Sequence, residues 1–192
     1  MRFVRWIGVA LAVCILGLAA VATLARFSDG PIGPLPIALL PGGPLRGGER
    51  ITGPEPDWSF ARDIMLMEFQ LVDPPRSRNI WLLVHEGKLY VASGYMNSWW
   101  GRLWKQWPIE AMKDGDAVIR IAGKRYEREA RRIVEPELFW SLIREARRKY
   151  ALGEEEEALP SELPPVESSG VWLFELAPRG SAETQTQSSP GE

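Results

Sequence analysis

The sequence predicts a mainly β (α+β) domain with two or three short helices, carried behind one N-terminal transmembrane helix. Three observations predict it. Residues Trp6 to Ala25 form 20 consecutive positions without a charge, about the length a helix needs to cross a bilayer. Several runs of six to nine residues then alternate or concentrate apolar side chains, as strands do. Two short acidic- or Ala-Gly turns, Glu86-Gly87 and Ala122-Gly123, join such runs into hairpins.

Arg2 and Arg5 precede the apolar run, so the positive-inside rule keeps the N-terminus in the cytoplasm and exports the rest. The expected location is the inner (cytoplasmic) membrane, single pass, with the domain on the periplasmic or extracytoplasmic side. Ala20 and Ala22 also make an A-x-A-like cleavage site. The length of the run favours an uncleaved anchor over a signal peptide, and both deliver the domain to the same side.

The chain of 192 residues has room for one domain plus anchor and tails. We expect an anchor over 1–29, a Gly/Pro-rich linker over 30–56, the folded domain over 57–178 and a disordered tail over 179–192. In the linker, repeated Pro and Gly oppose regular helix or strand, and Ile37 to Leu40 could touch the membrane or the domain. A formal net charge of −2 gives no sign of a nucleic-acid partner. The only cysteine, Cys14, lies in the apolar run, so thiolate metal sites and cysteine catalysis are excluded from the domain. We expect no metal site.

Taken in order, IMLMEFQL (64–71) reads as a half-buried strand with Met65, Met67, Phe69 and Leu71 on one face. NIWLLVH and KLYVAS flank the first turn. The former is apolar on both faces, Ile80, Leu82 and Val84 against Trp81 and Leu83, and so needs cover on both sides, from a helix or a partner subunit. AVIRI and KRYEREARRIV form the second hairpin, and GVWLFELA is a last strand with Trp172, Phe174 and Leu176 on one face. A helix opens at Glu135-Pro136-Glu137, with Pro in the first turn and acid near the positive dipole end. Its expected core face is Phe139, Ile143, Ala146 and Tyr150, and Gly153 stops it. A second helix, Ser98 to about Trp107, carries Trp100, Leu103, Trp104 and Trp107 as an inward stripe.

Chemistry concentrates in ASGYMNSWWGRLWK. Ser98 can cap the helix, and Ser98, Arg102 and Lys105 share one helical face. That pattern suits either an anion grip or a capped surface helix with a basic face. His85, the only histidine, reads as a surface turn residue, and Asp114 and Asp116 as a turn into a strand. Arg120 faces either a cleft or an exposed edge.

The order of these features, from RSRNIWLLVHEGKLYVASG through the short helix and second hairpin to VWLFELAPR, resembles the flavin-binding split-barrel superfamily. That superfamily includes pyridoxamine-phosphate-oxidase-like proteins and deazaflavin-dependent nitroreductases. The resemblance spans roughly Asp57 to Arg179 and implies a split β-barrel with peripheral helices. It implies FMN or a deazaflavin as cofactor, its phosphate held at Ser93, Asn97, Ser98, Arg102 and Lys105, and its ring along Arg78, Asn79 and Trp81. It also implies a homodimer and a small-molecule redox substrate. Two functions remain open: a membrane-anchored flavin- or deazaflavin-dependent oxidoreductase, nitroreductase-like, and a cofactor-free envelope binding or scaffolding module on the same barrel. No catalytic residue is assigned.

Overall fold

The computed structural model describes residues 2–33, 41–152 and 162–180. Helix α1 spans Arg2–Ala25, and its apolar stretch from Arg5 to Ala25 has a mean hydropathy of 2.6 and stays outside the fold until its last residue, Ala25, which is buried. It is long and apolar enough to cross a membrane.

Seven strands follow: β1 (Glu49–Arg50), β2 (Leu66–Leu71), β3 (Ser77–His85), β4 (Lys88–Ser93), β5 (Asp116–Ile121), β6 (Lys124–Arg132) and β7 (Trp172–Pro178). Six of them close into an antiparallel barrel. β2 pairs with β3 and β5, β4 with β3 and β7, and the β6–β7 pairing shuts the ring. The mainly β barrel expected from sequence is thus present.

Both anticipated hairpins form. Glu86 and Gly87 take φ of 47° and 74°, and Ala122 and Gly123 take 48° and 76°. Two consecutive left-handed residues give the turn whose twist matches the strands it joins.

Alternation then sorts the side chains. Met67, Phe69, Leu71, Ile80, Leu82, Val84, Phe174 and Leu176 fill the barrel, whereas Leu83, Tyr90 and Leu173 point outward under a helix. That helix, α4 (Pro136–Tyr150), covers the second face of β3, so a helix rather than a partner subunit meets the need of the doubly apolar strand. Its buried stripe is Phe139, Leu142 and Ala146, with Ile143 and Tyr150 only partly buried on the flank. Burying Phe139 and Leu142 contributes roughly 1.5–3 kcal/mol each. The helix ends when Ala151 turns left-handed at φ 51°, two positions before Gly153, which lies outside the described residues.

The tryptophan-rich helix differs from expectation. It is two short helices, α2 (Trp99–Trp104) and α3 (Trp107–Ala111), separated at Lys105 and Gln106. Pro108 in the first turn of α3 has no N–H and would clash with the preceding turn of a continuous helix. The break spoils the phase of the stripe. Only Trp107 turns inward, wedged between Phe69 at 5.1 Å and Phe174 at 5.3 Å between ring centroids, while Trp100, Leu103 and Trp104 are exposed.

The described part of the linker belongs to the fold. Gly42 pairs with Ser77, the Leu45 N–H donates to buried Gln70 Oε1 at 2.6 Å, and β1 adds in parallel to the open edge of β6. Unpaired backbone groups on that edge outweigh the local Pro/Gly bias against a strand. Ile37 to Leu40 lie outside the described residues. At the other end Arg179 is held by Asp116 at 3.3 Å and by the Ala117 carbonyl at 2.9 Å, so the fold continues one residue into the expected tail; residues 181–192 lie outside the described set.

Candidate functional site

A cleft of about 1140 Å³ opens between α2–α3 and α4, over the outer face of β3 and the end of β4. Seven of the eight residues anticipated as cofactor-binding line it: Arg78, Asn79, Trp81, Ser93, Asn97, Ser98 and Lys105. Arg102 does not line it; its Nε donates to the Met96 carbonyl at 2.7 Å and braces the turn before α2.

Most of the polar groups expected to grip a phosphate are already used. Ser98 is the N-cap of α2: its Oγ accepts from the Gly101 N–H at 3.2 Å and donates to the Tyr95 carbonyl at 2.7 Å. Asn97 donates to the Glu167 carbonyl at 2.7 Å, and Asn79 to the Gly33 carbonyl at 2.7 Å. Ser93 is buried and its hydroxyl lies 3.5 Å from the Met96 sulfur. These residues shape the cleft through the loops they hold.

The cations are differently placed. Arg76, Arg78, Lys105 and Arg147 line the cleft, against Glu110 as the one carboxylate among the described lining residues. Arg78 is the most enclosed: its Nε is buried without a hydrogen-bond partner, and burial pushes its pKa down to about 10, with Glu110 opposing that shift. It stays charged at neutral pH. Burial likewise lowers the pKa of Lys105, whose Nζ lies 5.3 Å from the Tyr95 ring centroid.

The aromatic wall comes from two elements. Trp81 of β3 stacks on Tyr150 of α4, centroids 4.5 Å apart and planes 12° from parallel. The Tyr150 hydroxyl donates to the Leu82 carbonyl at 2.6 Å, and burial raises its pKa. Sequence reasoning missed Tyr150 and Arg147 as cleft residues and placed Tyr150 in the core. Ile143, Arg147 and Tyr150, spaced i, i+4 and i+7, form a stripe that faces the cleft.

His85 is not a plain surface turn residue. It ends β3 partly buried, with Nδ1 3.0 Å from Glu145 Oε2 on α4, and so ties the hairpin to the helix. Asp114 does form the expected turn, accepting from the Asp116 N–H at 3.0 Å. Arg120 neither lines the cleft nor sits at a bare edge: it bridges Glu68 and Asp29.

No protein-family model matches the chain, and no curated protein matches it. What the structure defines is a closed six-stranded antiparallel β-barrel with one extra strand, behind a helix able to cross a membrane.

Proposed function

We propose that this chain is a membrane-anchored barrel protein, with the domain on the extracytoplasmic side. Its cleft binds an aromatic, phosphate-bearing ligand of the FMN or deazaflavin class in the service of oxidoreductase chemistry, nitroreductase-like. The observation that carries the reading is Arg78: a half-buried guanidinium whose Nε is buried and unpartnered, in a cleft walled by the Trp81–Tyr150 stack. A buried N–H without a hydrogen-bond partner, on a cation that lines a cleft, is costly and favours an anion, and flat aromatic surfaces suit a flat ring.

Arg78, Lys105 and Arg147 would hold the charged end of such a ligand, and the Trp81–Tyr150 stack would lie along its ring system. A bound flavin or deazaflavin supplies the hydride chemistry itself. The protein contributes charge, orientation and shelter from water. Arg2 and Arg5 on the near side of α1 support the proposed orientation.

The test is spectroscopic. Full-length protein in detergent is titrated with FMN and with a deazaflavin, following visible absorption and tryptophan emission. Saturable quenching, with a retained flavin band, supports the reading. A colourless protein indifferent to both ligands rejects it in favour of a cofactor-free envelope binding or scaffolding module, which the exposed aromatic residues of α2 favour.

A further inference from the structure

Five large apolar side chains lie exposed within ten residues at the rim of the cleft: Tyr95 (61%), Trp99 (77%), Trp100 (43%), Leu103 (69%) and Trp104 (40%). Between Tyr95 and Ile109 the chain has no acidic residue, and Arg102 and Lys105 lie among the aromatics. Surface of this kind, tryptophan and tyrosine with interspersed cations, suits the boundary between anionic headgroups and acyl chains.

The rim's distance from the bilayer is limited by how α1 joins the barrel. Ala25, the last helical residue, is already buried. Ser28 Oγ accepts from the Gly43 N–H at 3.1 Å, and Asp29 is paired with Arg120 at 3.0 Å. Asp29 is four residue steps beyond Ala25, so the chain there spans at most about 14 Å. The barrel is thus held at headgroup level, with no slack tether.

The same segment builds one side of the cleft. Gly42 bonds to Ser77, Asn79 donates to the Gly33 carbonyl, and Pro41 and Asn79 line the same cleft as Trp100 and Trp104. The aromatic rim and the segment that follows α1 therefore border one cleft.

We propose that the aromatic face of α2, with Tyr95, docks on the bilayer that α1 crosses, its rings at the interface and Arg102, which does not line the cleft, beside anionic headgroups. This does not rest on any cofactor. It turns the mouth of the cleft toward the lipid surface.

Full-length protein in phosphatidylcholine/phosphatidylglycerol vesicles containing acyl-chain-brominated lipid tests the proposal through tryptophan quenching. Wild type is compared with the triple variant Trp99→Phe, Trp100→Phe, Trp104→Phe, whose changes fall on exposed side chains. Docking predicts that the variant loses most of the bromolipid-quenched emission and retains the share from Trp6 in α1. Equal quenching in both proteins overturns the proposal. So does a wild-type rim quenched by aqueous acrylamide but not by bromolipid, which leaves it in water. A rim shielded from both quenchers, with dimers in sedimentation, also overturns it and assigns the face to a second copy. Loss of Trp6 quenching as well would reject the membrane helix itself, and docking with it. None of these outcomes alters the flavin titration in detergent, so the two readings fail separately.

Discussion

Asp29, four residues beyond the apolar helix, accepts from Arg120 Nη1 at 3.0 Å, near the end of barrel strand β5. The same guanidinium is held by Glu68 on the neighbouring strand, through Nε and through Nη2 at 2.8 Å, and donates to the Gly47 carbonyl at 3.2 Å. One side chain thus ties the end of the apolar helix, the linker and the barrel wall together. Charge-assisted pairing to Glu68, foremost, raises the pKa of Arg120.

Arg120→Ala is expected to destabilise the fold by about 2–4 kcal/mol, because it leaves a half-buried Glu68 without its donor. Asp29→Ala removes a more exposed partner and should cost about 0.5–1 kcal/mol. Chemical denaturation in detergent, followed by tryptophan emission, measures both. Equal costs would show that the guanidinium does not depend on Glu68.

The Asp29 contact also has a pH signature. The Arg46 N–H is the largest influence and lowers its pKa; burial opposes it, and the Gly47 N–H and Arg120 add to the lowering. A carboxylate with a depressed folded-state pKa stabilises the fold fully above its ordinary value of 3.8, and that contribution is lost as pH falls through the folded value. The thermal-midpoint difference between wild type and Asp29→Asn should be constant near neutrality and vanish in acid. A difference that grew on acidification would contradict the assignment.

Two tryptophans seven positions apart should behave oppositely. Trp107→Ala empties a site between Phe69 and Phe174 and should cost about 3–5 kcal/mol. Trp100→Ala, at a solvent-facing position in detergent, should change stability by no more than about 0.5 kcal/mol. Comparable losses at both sites would mean that a single continuous stripe packs inward after all.

Ser98→Ala is expected to cost about 1 kcal/mol through loss of the cap, with Ser98→Gly recovering most of it. FMN affinity should follow stability only weakly, since the hydroxyl is occupied by the Gly101 N–H and the Tyr95 carbonyl. A large affinity loss with unchanged stability would return Ser98 to the ligand.

Arg78→Ala should weaken FMN binding by about 1.5–3 kcal/mol, the scale of a hydrogen bond to a charged group. Arg102→Ala, which the sequence pattern alone would have chosen, should leave affinity nearly intact and lower stability by about 1 kcal/mol, through the lost bond to Met96. Fluorescence titration of the two variants separates the outcomes. The reverse order would place the anion site on the outer face of α2.

The barrel was legible because its signals are local. Period-two alternation around Met67 and Phe69, and a glycine after Glu86 and after Ala122, name strands and turns without knowledge of what packs on them. The candidate site was legible in part, since the strand ends that carry Arg78 and Ser93 follow from the same register.

The sequence by itself determined the apolar helix, the two hairpins, the last strand and the helix beginning at Pro136. Each depends on side-chain period or on the backbone preference of one or two residues. Only the tertiary structure decided that Pro108 breaks the tryptophan stripe and exposes its first half, that Tyr150 stacks on Trp81, and that Arg120 fastens Asp29. These contacts join residues far apart in the chain, and which partner an arginine or an indole meets is set by strand order and helix placement, which no local period encodes.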